Sequence, residues 1–242
     1  MSKHFDNKYF EQIENAGPDS NYFQEVTGYI GALFTTSKIK ALDVGCGSGL
    51  FFEDLASKPN ISMLGLDAQS PFTSLALNRG YERVVIVEDL NSDILPFESS
   101  RFDLIICKDV LEHLVDPFFV LKEMHRCLKP GGILLLHVPN HFPLVGRLKF
   151  LFDNRIDTFN FFGSDNRWIY PHIRFFSFEN FVGEALNLGF CLKKNMSYVF
   201  PAIPWLSRIS CLSVFCRWLA RISPQQFSYG FTVFLRKKRN AL

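Results

Sequence analysis

The sequence lacks a disulfide framework. It has six cysteines, at 46, 107, 127, 191, 211 and 216, without clustering or a CxxC pair. That pattern predicts reduced thiols in a cytoplasmic protein. It lacks an excess of charge: Lys+Arg is 26 and Asp+Glu is 24, a net +2. That balance argues against a nucleic-acid partner. The opening MSKHFDNKYFEQ has no apolar stretch to serve as a secretory leader. No uncharged apolar run reaches the ~20 residues that span a bilayer. The nearest, from Tyr198 to Ile222, is interrupted by Arg208, Arg217 and Arg221. A soluble protein, at most peripheral to a membrane, is expected. Internal repeats and low-complexity tracts are also missing. What the chain has in plenty is phenylalanine, 27 in all, which calls for a core, an apolar pocket or an interface.

From residue 39 apolar strands alternate with helical runs. Strands are predicted at Ile39 to Val44, Ser62 to Leu66, Val84 to Val87, Phe102 to Cys107 and Ile133 to Val138. Helices are predicted at Asn21 to Thr36, Leu50 to Ser57, Pro71 to Asn78 behind a Ser70 cap, and Asp109 to Leu128 with an interruption near Asp116-Pro117. Alternation at this spacing implies parallel βαβ units with helices on both sheet faces. Residues 140 to 176 break the rhythm and read as an aromatic-rich insertion. Ser177 to Leu188 reads as a helix between a serine cap and Gly189. A strand from Phe190 to Val199, a helix from Trp205 to Ile222 and a strand from Tyr229 to Leu235 complete the pattern.

The most informative stretch is Ala41-Leu42-Asp43-Val44-Gly45-Cys46-Gly47-Ser48-Gly49. A buried strand runs into three alternate glycines and then a helix. Glycine permits positive φ and close backbone approach to a ligand, and a helix start offers free N–H groups. The turn is G-x-G-x-G, not the G-x-G-x-x-G of dinucleotide binders. Asp43 inside the strand would repel a pyrophosphate and suit a cationic ligand or an amine. Asp67, about 20 residues beyond the turn, stands where an acid accepts ribose hydroxyls. Asp89 follows the third strand at the same sheet edge, placed to accept from an exocyclic adenine amine.

These segments resemble the class I S-adenosylmethionine-dependent methyltransferases. The resemblance rests on ALDVGCGSG at 41–49, LGLDA at 64–68, DLNSDILPF at 89–97, FDLIICKDVLEHLVDP at 102–117 and LKPGGILLLHVPN at 128–140. HIRFFSFENFVGEALNLGF at 172–190 is similar to branches near ubiquinone-biosynthesis O-methyltransferases and bacterial glycan-cluster methyltransferases. The resemblance implies a Rossmann-like, doubly wound, seven-stranded sheet, mostly parallel with an antiparallel last strand. It implies S-adenosyl-L-methionine as cofactor. Cofactor contacts would fall at Asp43, Gly45, Cys46, Gly47, Gly49, Asp67, Ala68, Asp89, Leu90 and Lys108. The chain then divides into an arm and helix over 1–36 and a methyltransferase domain over 37–242, with the insertion at 140–176 and a C-terminal helix over 204–222.

Methyl transfer to a hydroxyl needs a base or an electrophilic metal. Asp109, Glu112 and His113, spaced i, i+3, i+4, would share a helix face able to hold a divalent cation or pass a proton. Ubiquinone-pathway methyltransferases resemble this with Glu, Glu and His. The plainer reading is an ordinary helix start, and no metal is assigned from sequence. Catalytic candidates are His113, His172 and Asp109; His137 and His141 also stand near the strand ends. The insertion reads as a lid for an aromatic, isoprenoid or lipid-linked acceptor, or as a small helical subdomain. The C-terminal helix, with Ile209, Leu212, Phe215, Cys216 and Leu219 on one face, lies either on a membrane, aided by the basic end, or on the domain. The expected function is O-methylation of a small, lipid-linked or glycan-linked acceptor. The alternatives are a non-catalytic partner protein of the same fold and a nicotinamide-dependent oxidoreductase. Oligomeric state is left open.

Overall fold

The computed structural model describes residues 20–68, 73–153, 172–198 and 210–239. The chain enters through α1 (Ser20–Leu33) and then alternates β1 (Ile39–Val44), α2 (Glu53–Ala56), β2 (Ile61–Asp67), α3 (Thr73–Asn78), β3 (Arg83–Ile86) and β4 (Phe102–Lys108). It continues through α4 (Pro117–Cys127), β5 (Leu128–Pro139), α5 (Leu144–Asp153), α6 (Phe178–Asn187) and β6 (Phe190–Asn195). It ends with α7 (Ser210–Ile222), α8 (Pro224–Phe227) and β7 (Gly230–Lys237). The seven strands form one sheet in the order β3-β2-β1-β4-β5-β7-β6. All neighbours are parallel except β7, which runs antiparallel to both β5 and β6. The expected sheet, with its antiparallel last strand, is therefore the observed one.

Side-chain alternation along the strands builds two cores. Leu42, Val44, Ile105, Cys107, Leu134, Leu136, Phe231 and Val233 pack against Val120, Leu121 and Met124 of α4 and Phe181 and Val182 of α6. On the other face Ala41, Met63, Leu104, Ile106, Leu135 and Phe234 pack against Tyr22, Phe23, Val26 and Ile30 of α1. α6 starts where its serine predicts: Ser177 accepts from Asn180 N at 3.2 Å. Gly189 follows at φ 97°.

The main departure from the expected elements lies between β4 and α4. The helix expected from Asp109 is instead a single 3₁₀ turn, Leu111–His113, followed by extended backbone at Leu114. Pro117 causes the break. It disfavours helical backbone at Asp116 and makes a good first helical residue. Asp116 caps α4, accepting from Phe118 N and Phe119 N at 3.1 Å each. Asp109 itself sits at φ 54°. Asp109, Glu112 and His113 consequently do not share an α-helical face. The Ser70 cap, residues 154–171 of the insertion and Trp205 to Ile209 of the C-terminal helix lie outside the described residues.

The basic end has a structural task. Lys237 Nζ donates to His125 O at 2.7 Å and Leu128 O at 2.8 Å, closing the C-terminus of α4.

Candidate functional site

The carboxyl ends of β1, β2 and β4 meet at one edge of the sheet, where open α/β sheets bind ligands. Gly45, Gly47 and Gly49 all have positive φ there, but for different reasons. A Cβ at Gly45 would meet Val110 Cγ2 at 2.2 Å, and one at Gly49 would meet Tyr81 Cε2 at 2.8 Å. A Cβ at Gly47 would meet nothing within 4 Å. The outer glycines are required by packing, while the middle one leaves its backbone open to a ligand. Cys46 points inward: a Cβ at Gly65 would come within 2.6 Å of its Sγ. The turn is braced by Arg79, which donates to Ser48 O at 2.9 Å and pairs with Glu53 at 3.2 Å.

Two desolvated acids flank this opening, Asp43 buried and Asp67 half-buried. Asp67 accepts from Gly47 N at 2.6 Å through Oδ2. Burial lifts its carboxyl to about 6, against the opposing N–H groups of Gly47 and Ala68. Asp43, 3% exposed, accepts from the Tyr81 hydroxyl at 2.6 Å. Burial lifts it to about 7; Tyr81 opposes the rise and Asp67 adds to it. Asp43 is thus not the open anion that the sequence suggested but a desolvated carboxyl anchored by a tyrosine.

Asp89 is turned into its own loop. Its Oδ1 accepts from Asn91 N at 2.9 Å and Asn91 Nδ2 at 2.7 Å, which holds its carboxyl below the usual range. Leu90 beside it is buried in the core.

Lys108 ends β4 under α1, with Nζ 3.7 Å from the Phe51 ring centroid. It pairs with Asp109 Oδ2. Asp109 Oδ1 lies 3.3 Å from His137 Nε2. His137 Nδ1 lies 2.7 Å from Thr232 Oγ1, and Thr232 in turn contacts the Tyr22 hydroxyl. One polar chain therefore runs Lys108–Asp109–His137–Thr232–Tyr22 and ties α1 to three strands. Burial would raise the Asp109 carboxyl, but Lys108 and His137 outweigh it and hold it down to about 2. Asp109 is a fixed charge and a poor base. Burial lowers His137 to about 4, so its imidazole is neutral near pH 7.

A second cluster assembles beyond the sheet edge. His141 Nε2 and His172 Nδ1 are 2.7 Å apart. The His113 and His172 ring centroids are 4.8 Å apart. Glu112 is fully buried beside them, and neither carboxylate oxygen has a hydrogen-bond partner among the described residues. Ligand atoms of Glu112, His113 and His172 all lie within 4.8 Å of one another. The structure therefore separates the sequence-predicted trio. Glu112 and His113 go to His172, and Asp109 goes to Lys108 and His137. Sequence reading did not single out Tyr22, Phe51, Arg79, Tyr81 or Thr232. Each acts through a contact across the fold, which periodicity does not report.

Residues 42–136 match the family model described as methyltransferase domain. A SAM-dependent methyltransferase from Archaeoglobus fulgidus superposes with a TM-score of 0.62 at 17% identity, covering 96% of this chain and 100% of that one. The cyclase SpnF superposes with a TM-score of 0.59 at 18% identity, covering 90% of this chain and 81% of that one. Fold, glycine turn and family match agree: the stretch 42–136 is similar to a methyltransferase domain, and the fold is the one seen in solved S-adenosylmethionine-dependent methyltransferases. In sequence the chain is similar to ubiquinone biosynthesis O-methyltransferases. That of Xanthomonas oryzae pv. oryzae is 33% identical over 122 residues, 48% of this chain and 49% of that protein. The chain spans about half the length of the curated relatives it matches.

The residues present fit S-adenosylmethionine. Two desolvated carboxyls face an open glycine backbone, and Lys108 nearby is committed to Asp109. A ligand bearing positive charge and a vicinal diol satisfies what burial leaves costly there.

Proposed function

We propose that the protein methylates a hydroxyl oxygen of a small, lipid-linked or glycan-linked acceptor. The observation that carries this reading is the pair of desolvated acids, buried Asp43 and half-buried Asp67, beside the open backbone of Gly47. S-adenosylmethionine supplies a methyl group already activated on a cationic sulfur. Asp67 accepts the ribose hydroxyls, and Asp43 ionises opposite the cofactor's positive charge. Gly47 lets the backbone come close, and Asp89 and Leu90 border the adenine. Lys108, held by Asp109, fixes the end of β4. The acceptor oxygen must meet the methyl carbon in line with the breaking carbon–sulfur bond, which is chiefly an effect of positioning. The bond's electron pair returns to sulfur, and the hydroxyl proton is released toward the imidazole of His113, against which the His172 ring packs.

Calorimetry with S-adenosylmethionine and with its demethylated product tests the cofactor half. Heat with both, and none with a nicotinamide dinucleotide, is expected; the reverse order overturns the reading. Methyl-labelled cofactor incubated with fractionated extract tests the rest. Label on an oxygen of a small or lipid-linked product is expected, whereas a non-catalytic partner protein binds the cofactor and labels nothing.

The lipid-linked half draws on the helices around the site. No described helix is long and apolar enough to cross a membrane. Yet α7 exposes Val214, Phe215, Trp218 and Ile222, and α5 exposes Leu148, Leu151 and Phe152. Arg221 of α7 pairs with Glu25 of α1 at 3.6 Å, so α7 flanks the helix that covers the Lys108–Tyr22 chain. The outward side of α7 is thus apolar in part, and Ala220 marks its buried side. The protein is expected to float with anionic vesicles and Trp218→Glu to remain below; wild-type protein staying with the soluble fraction removes the membrane reading.

A further inference from the structure

We infer that Asn91 is a positioning residue: its side-chain amide joins the Asp89 loop, which borders the cofactor's base, to the backbone on which His113 and His172 are mounted. The inference rests on the cofactor reading above and goes beyond it, because it couples the two sides of the site through one side chain.

The amide is engaged at both ends. Asn91 Nδ2 donates to Asp89 Oδ1 at 2.7 Å, and Asn91 N donates to the same oxygen at 2.9 Å. Asp89 Oδ2 meets the Ser92 hydroxyl at 3.4 Å, a long contact that a ligand amine can displace. One carboxylate oxygen is thus pinned, and the other is left to the exocyclic amine of a base. At its far end Asn91 Oδ1 accepts from Val115 N at 2.6 Å and from Asp116 N at 3.3 Å. Both N–H groups lie on the stretch between the 3₁₀ turn and α4. The task needs a donor toward a carboxylate and an acceptor toward two N–H groups, which an amide supplies and a second carboxylate does not.

The contacts continue to the acceptor side. Arg174 donates to Val115 O, through Nε at 3.1 Å and also through Nη2. Ile173 N and Arg174 N donate to Glu112 O at 2.9 and 3.0 Å. His172, the residue before them, sets its ring centroid 4.8 Å from that of His113. The Asp89 loop and the segment after the insertion therefore both grip residues 112–116. A base seated on Asp89 steadies that grip, and the segment at 172–174 is steadied with it. Coupling of this kind is reciprocal, so cofactor and acceptor favour each other's binding.

The test titrates the full chain with S-adenosylhomocysteine and with its inosine counterpart, in which a carbonyl oxygen replaces the exocyclic amine. Wild type is expected to favour the adenosine compound about 30-fold or more, since an oxygen facing Asp89 loses a hydrogen bond and adds repulsion. Asn91→Ala and Asn91→Asp are each expected to cut that preference to about threefold or less, because the carboxylate is no longer aimed. A purely structural loss weakens both compounds alike. A preference absent in wild type, or kept in both variants, overturns the inference. Amide exchange separates the two ends. In the ligand-free protein Asn91→Ala is expected to speed exchange at Val115, Asp116, Ile173 and Arg174 and to leave β1 unchanged. Asn91→Asp keeps an oxygen for Val115 and Asp116 and is expected to speed it less. S-adenosylhomocysteine is expected to slow exchange at Ile173 and Arg174 in wild type and not in Asn91→Ala. Exchange at these amides that is the same in wild type and Asn91→Ala overturns the inference whether or not the cofactor binds. A wild type that gives no heat with S-adenosylhomocysteine, yet shows the exchange difference, defeats the cofactor reading and upholds the bridge.

Discussion

Asp43→Asn is expected to weaken S-adenosylmethionine binding by about two orders of magnitude at pH 8, the scale of a desolvated charge-assisted contact. The amide still accepts from Tyr81 but carries no charge for a cationic ligand. The same substitution is expected to stabilise the ligand-free protein at high pH. Burial moves the carboxyl from its ordinary 3.8 to about 7. Its contribution to stability is complete below pH 3.8 and is lost as pH rises through about 7. At about 1.4 kcal/mol per pH unit, that loss is on the order of 4 kcal/mol. His137, His141 and His172, lowered to about 4, 4 and 3 by burial, act in the opposite sense. Their contribution is present above 6.5 and lost as pH falls through those values. The difference between wild type and Asp43→Asn therefore removes the histidines and reads Asp43 together with its coupling to Asp67. Urea unfolding of both from pH 4 to 8 measures it: the stabilities should diverge as pH rises, in favour of the variant. Binding should release protons near pH 6.5, read as a buffer-dependent calorimetric heat. Parallel stability curves and pH-independent affinity would show that Asp43 does not ionise against the ligand.

Much of this site could be read from residues alone, and the limit is instructive. A strand into alternate glycines into a helix is a local pattern, and the structure forms it at 39–56. The cap at Ser177 and the end at Gly189 are local as well. The spacing of Asp67 from Gly47 placed the acid on the turn, where it hydrogen-bonds the Gly47 N–H. The i, i+3, i+4 reading of Asp109, Glu112 and His113 failed because Pro117 at the start of α4 replaces the helix by a 3₁₀ turn and extended backbone. The interruption at Asp116-Pro117 was visible; its consequence for side-chain direction four to eight residues upstream was not. His172 reaches Glu112 from 60 positions further on, and Tyr22 reaches Thr232 across 210. Such pairings follow from sheet order and helix docking, which no window of sequence contains. The likeness to SpnF adds that the fold does not fix the reaction. The case for methyl transfer rests on the chemistry around Gly47.

Thr232→Val carries the largest stability effect expected from one nearly isosteric change. Thr232 is 1% exposed and stands between Tyr22 and His137. His137 donates Nε2–H to Asp109 when neutral, so its Nδ1 accepts from the threonine hydroxyl, whose oxygen accepts from Tyr22. Valine leaves a buried phenol and a buried imidazole nitrogen without that partner, at about 1–3 kcal/mol each. A total of about 3 kcal/mol lowers the melting temperature by roughly 6–12 °C in a chain of this size. Thr232→Ser keeps the hydroxyl and should recover most of the loss. The damage should also be directional. Tyr22 anchors α1 to β7 through this contact, so amide exchange should accelerate across Tyr22 to Ile30 before it does in β4. The cofactor should bind more weakly, because α1 lies over Lys108 and Phe51 at the end of β4. Melting curves for the valine and serine variants that coincide within a degree would mean that the chain from Lys108 to Tyr22 holds nothing together, and α1 would then be kept in place by its apolar contacts with Ala41, Leu135 and Phe234 alone.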